Sequence, residues 1–170
     1  MLKLNLMKIL KFSALIIVIL ITIALTIFGP RLLRPKSTPA IAENQPSTGI
    51  VKTNGHVIYA EVAETPEKRQ LGLSNRPGLE ENAGMLFLMD AEGIHNFWMK
   101  DMLIPLDFIW IRGDQIVDLN ENVLPPTLLN GEIKTVQPTE AADKVLEVRA
   151  GKLKEMGVKK GDLVEVSINL

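Results

Sequence analysis

Residues 105–120 read PLDFIWIRGDQIVDLN. An aromatic and β-branched run, LDFIWI, and a second apolar run, QIVDLN, flank Gly113-Asp114, a pair suited to a tight turn, so the segment predicts two adjacent antiparallel strands. Strand alternation places Asp107, Ile109 and Ile111 on one face, with Phe108, Trp110 and Arg112 on the other. Asp107 therefore stands in apolar surroundings. A carboxylate there needs partners, because an unpaired buried charge is costly. Arg69 and Lys100 are the candidate cations, and an ion pair fixing a helix to the sheet is the expected role.

Further strands follow on both sides. MLFLM (85–89) and HNFWMK (95–100) precede the segment, while KVLEVRA (144–150) and DLVEVSI (162–168) follow it. GKLKEMG (151–157) predicts one or two helical turns, and the prolines of 121–138 predict a long loop. Upstream, IVKTNGHVIYAEVA (50–63) carries Asn54-Gly55, the strongest short hairpin signal. Thr65-Pro66 reads as an N-cap followed by proline at the first helical position, opening a short helix to about Leu73 with Leu71 against the core. The fold class is therefore mainly β with two short helices, a single small antiparallel sandwich or barrel-like domain over residues 49–170.

The N-terminus is of a different kind. Residues 12–28, FSALIIVILITIALTIF, carry no charge, and twelve of the 17 are Leu, Ile, Val or Phe. They favour a bilayer by about 4–7 kcal/mol on an insertion scale and span roughly 25 Å as a helix, near the lower limit for crossing. Residues 1–28 are thus read as an N-terminal transmembrane helix with the lipid bilayer as its partner, and the domain is placed outside the cytoplasm. A signal peptide cleaved after Ala40-Ile41-Ala42 is the competing reading. Against it, the run exceeds the usual h-region, and a charged stretch separates it from that site. Three lysines precede the run and three basic residues follow, so charge alone does not orient it. Residues 29–48, with four prolines, have a linker's composition.

Charge is split along the chain. Residues 1–42 hold six Lys/Arg and no Asp/Glu, leaving 13 basic and 20 acidic residues in 43–170, a net of −7. Such a domain repels phosphate backbones, and nucleic acid is not an expected partner. The absence of cysteine excludes disulfides, thiol catalysis and thiolate metal sites.

Catalytic signatures are missing: no G-x-S-x-G, H-E-x-x-H, phosphate loop or dinucleotide fingerprint. His56 falls at the hairpin turn and His95 opens the HNFWMK segment. Trp98 and Lys100 share a strand face, an aromatic plate beside an ammonium, which suits a sugar or an anionic small molecule but also a core strand with a snorkelling lysine. Met85, Met89, Met99 and Met102 lie near His95. Thioethers suit cuprous copper, yet methionine is common core filler and the spacing matches no compact metal motif, so no metal or cofactor is assigned.

Three ordered stretches, ETPEKRQLGLSNRPGLEENAGMLF, FWMKDMLIPLDFIWI and VLEVRAGKLKEMGVKKGD, resemble the domain-of-unknown-function-192 family across about residues 57–168. Matching positions include Arg69, Gly72, Gly84, Trp98, Lys100, Asp107, Glu147 and Gly151. Ser74 departs from the usual methionine, and Asp101-Met102 replaces the usual Asn-Thr. The resemblance implies a small, β-rich prokaryotic domain, often exported or membrane-anchored. It implies no activity, so no catalytic residue is carried over. The expected function is a non-enzymatic binding or accessory domain of the cell envelope with Arg69, Trp98, Lys100, Asp101 and Asp107 as candidate ligand-binding residues. Alternatives are an envelope hydrolase pairing Asp101 with Asp107 for acid/base work, and an envelope protein that uses these residues only for folding.

Overall fold

A computed structural model describes residues 47–169. The apolar run at 12–28 and the linker up to residue 46 lie outside the described residues. Strands β1 (Thr48–Thr53) and β2 (His56–Ala63) form the expected hairpin. Its turn residues Asn54 and Gly55 have φ of 47° and 76°, the positive values that a two-residue turn of this twist requires. Ser47, ahead of β1, already accepts the Val62 N–H and donates its hydroxyl to Glu64.

Helix α1 (Pro66–Leu71) opens as its sequence predicts, with the Thr65 hydroxyl accepting the Lys68 N–H at 3.3 Å. Leu71, expected against the core, is 63% exposed, and Leu73 is buried instead. The helix ends at Leu71, and Gly72, at φ 50°, turns the chain so that the later leucine points inward.

Strand β3 (Ala83–Gly93) lies parallel to β2, reached through a crossover that contains α1. The two-residue β4 (Phe97–Trp98) is all that forms of the strand expected at 95–100. Strands β5 (Leu106–Arg112) and β6 (Gln115–Val123) form the hairpin around Gly113-Asp114. The prolines that follow carry a 3-10 turn at Pro126–Leu128 and β7 (Thr135–Val136), which pairs with β4. Strand β8 (Ala142–Arg149), helix α2 (Lys152–Met156) and strand β9 (Glu165–Asn169) complete the described chain.

The expected antiparallel sandwich or barrel is replaced by one seven-stranded mixed sheet, ordered β6-β5-β8-β3-β2-β1-β9, plus the β4-β7 ribbon. The sheet curls without closing. At one end the segment before β9 reaches the start of β6, where Ile116 N–H donates to Asp162 O at 2.9 Å and Val164 N–H to Asp114 O at 2.8 Å.

Both sheet faces are covered. One face holds Val51, Ile58, Leu86, Ile109, Leu146 and Val148 under α2. The other holds Met85, Phe87, Phe108, Trp110 and Val145 beneath Leu73, Met99 and Met102. This explains why β5 is buried at every residue from Leu106 to Ile111 rather than on alternate ones. It lies between β6 and β8, with core on either side. Among the described residues no helix is long and apolar enough to cross a membrane.

Candidate functional site

The second sheet face is not filled completely. A cavity of about 380 Å³ remains between the sheet, the α1–Ser74 turn and the β4 segment, within the usual range for small-ligand sites. Its walls are mixed: Leu73, Phe87, Met89, Phe97, Trp98 and Met102 are apolar, and Arg69, Gln70, Ser74, His95, Asn96 and Glu147 are polar. Phe97 is the inward residue of β4 and packs edge-on against Phe87 at 4.9 Å, Trp110 at 5.4 Å and Phe108 at 6.0 Å. This fixes the following residue, Trp98, facing outward at the mouth, 54% exposed beside exposed Leu71. Met99 then turns back into the core.

Arg69 is a wall of this cavity and a strut. Its Nη1 donates to Leu88 O at 2.8 Å and Glu64 O at 3.1 Å, and its Nη2 pairs with Asp90 at 2.7 Å, tying α1 to β3. His95 donates Nε2–H to Ala91 O at 3.0 Å, since a carbonyl can only accept.

The residue that sequence reasoning missed is Glu147. It lies on β8 opposite Met85 of β3 and Phe108 of β5, is only 5% exposed, and lines the cavity. Among the described residues none donates a hydrogen bond to its carboxyl. Burial without a partner pushes its pKa up to about 8. The carboxyl is mostly protonated at neutral pH, and it lines the cavity beside apolar Phe87 and Met102.

The sequence-predicted residues fall in three places. Arg69 and Trp98 line the cavity. Lys100 and Asp101 line an adjoining shallower depression that shares Gln70, Leu71, Ser74 and Trp98 with it. Asp101 sits at φ 58°, and its carbonyl accepts the Asn75 N–H at 2.8 Å. The left-handed backbone suits Asp as it suits the family's usual Asn, so this departure keeps the turn.

Asp107 is not part of either depression. The expected ion pair with Arg69 or Lys100 does not form. Asp107 is 1% exposed under α2, where Oδ1 accepts the Asn122 N–H at 2.7 Å and Oδ2 the Leu153 N–H at 3.0 Å. Its partners are backbone amides: one at the register shift in the β5–β6 ladder, where Asn122 has φ 49°, and one in the first turn of α2. Asp101 and Asp107 thus do not face each other across a common space.

Of the methionines, Met85 and Met99 are packed in the core, while Met89 and Met102 line the cavity with His95. Among the described residues no three His, Asp or Glu side chains converge.

The sequence model of DUF192, described as an uncharacterized ACR, matches residues 49–166. The chain belongs to the DUF192 family. Two solved structures resemble this DUF192 domain. One is a protein of unknown function from Novosphingobium aromaticivorans, 31% identical, with a TM-score of 0.61 over 71% of this chain and 83% of that one. The other, from Sinorhizobium meliloti, is named as a candidate transcription regulator; it is 28% identical, with a TM-score of 0.63 over 72% of this chain and 94% of that one. No curated protein matches the sequence.

Proposed function

We propose that this DUF192 protein is a non-enzymatic binding module of the cell envelope, tethered through residues 12–28 and capturing a small organic molecule in the cavity beside α1. The observation that carries the reading is Glu147. A carboxyl with no protein hydrogen-bond partner, lining a pocket of mixed polar and apolar walls that opens at Trp98, is a group a ligand can satisfy. The aromatic and thioether walls supply affinity for an apolar body, and the polar groups supply orientation. Paired-carboxylate hydrolysis lacks support, since Asp107 is spent on two backbone amides. Direct nucleic-acid binding, one way a transcription regulator acts, is opposed for this chain by the acidic surplus of residues 43–170.

The test is a ligand-observed library screen on the full chain in a mild detergent, with the Trp98 indole N–H as reporter. Binding compounds should shift that resonance and raise Tm, and Trp98→Ala should weaken them several-fold. A diverse library that moves neither Tm nor the Trp98 signal at millimolar concentration would sink the proposal.

A further inference from the structure

Glu147 narrows the chemistry of the ligand. Its register neighbours, Met85 and Phe108, are both buried and apolar. The charged or titratable groups around it are each committed elsewhere. Arg69 holds Asp90 and two backbone carbonyls, His95 holds Ala91 O, and Arg149, two residues along β8, holds Glu155 at 2.5 Å. None supplies a counter-charge to the carboxyl.

We infer that the cavity is a site for an organic cation, a small ammonium carrying an apolar or aromatic body, with Glu147 as its counter-ion. The inference rests on the ligand-binding reading and names the class of ligand. Three features favour a cation over an anion or a neutral molecule. An ionised carboxylate set between Met85 and Phe108 is stabilised most by a direct opposite charge. Phe87, Phe97 and Trp98 supply aromatic rings along the same walls, and ring faces attract ammonium groups. The acidic surplus of the domain draws cations and repels anions.

Proton balance gives the site a signature. A bound ammonium replaces the proton held on Glu147, so binding at neutral pH releases close to one proton to solvent, and less as the pH rises past the carboxyl's own titration. The N–H groups of the ammonium then donate to the carboxylate oxygens.

Benzylamine, benzyl alcohol and benzoate share one ring and differ in charge, which makes them suitable probes. Isothermal titration of the full chain in two buffers of different protonation enthalpy reads both affinity and proton release. Benzylamine should bind at least about ten-fold more tightly than benzyl alcohol, benzoate more weakly than either, and the amine alone should release a proton. Glu147→Gln should abolish the amine's advantage, bringing amine and alcohol within about two-fold of each other on that variant, and should end the amine's proton release. If the alcohol or benzoate binds as well as the amine, or if the amine's advantage survives in E147Q, the cation assignment falls and the binding cavity stands. If none of the three binds at millimolar concentration, the cation assignment falls, while the binding reading is judged by the library screen.

Discussion

Glu147 and Asp107 are two buried carboxyls with opposite circumstances. Glu147 has no partner, so folding holds its proton to about pH 8, whereas the unfolded chain releases it near 4.5. Between those values the folded state binds the extra proton, so stability must fall as pH rises, by up to about 1.4 kcal/mol per unit. Denaturant unfolding should show a loss of up to about 4 kcal/mol from pH 5 to pH 8, and Glu147→Gln should remove most of that slope. Glu61 acts in the opposite sense below this window. The hydrogen bond from Arg76 holds its carboxyl below the ordinary value, and its contribution is lost only as the pH falls through that range. A wild-type slope unchanged in E147Q would show that Glu147 is not the group that titrates. Asp107, by contrast, accepts two backbone N–H groups. Asp107→Ala should cost about 3 kcal/mol in chemical denaturation, and Asp107→Asn, which can accept only one of the two, about half as much. A loss below about 1 kcal/mol for the alanine variant would contradict the role.

At the scale of elements, the local chemistry was legible and the long-range pairing was not. Asn54-Gly55 and Thr65-Pro66 are signals carried by two adjacent residues, and both produced the turn and cap expected of them. The parallel β2–β3 pair has no such signature, since its partners are joined by the α1 crossover and meet only when the sheet assembles. Asp107 was legible as a polar residue in a buried strand, but its partners, backbone amides 15 and 46 residues away, were not. Glu147 was not singled out because nothing local in VLEVR tells that β8 lies inside the sheet with both faces covered. The signal available was a lone acid within an apolar run at a position of the family pattern. The β3–β8 contact also depends on Gly84, where an added Cβ would lie 2.7 Å from the Glu147 carbonyl oxygen and 3.1 Å from Ile58. Gly84→Ala should therefore push two central strands apart and lower stability by about 1–3 kcal/mol, read as a drop in denaturation midpoint. An unchanged midpoint would mean that the strands yield without cost.

For the whole molecule, the expectation concerns attachment. The folded unit carries the acidic surplus, each face of its sheet has its own core cluster, and among the described residues contacts begin at Ser47. A chain beginning at Gln45 should be soluble and unfold in one cooperative transition. The full chain should behave differently. Seventeen uncharged residues at 12–28 should hold it in the membrane fraction through alkaline carbonate washing, which strips peripheral proteins but leaves spanning helices. Because the flanking charges are balanced at three and three, protease added to intact cells stripped of their outer layers must supply the orientation. Digestion of the 49–170 domain there, with a cytoplasmic marker untouched, is the expected result. Sequencing the mature N-terminus completes the test: a chain retained from Met1 supports the anchor, whereas a soluble product beginning at Glu43 would show cleavage after Ala42 and a released domain.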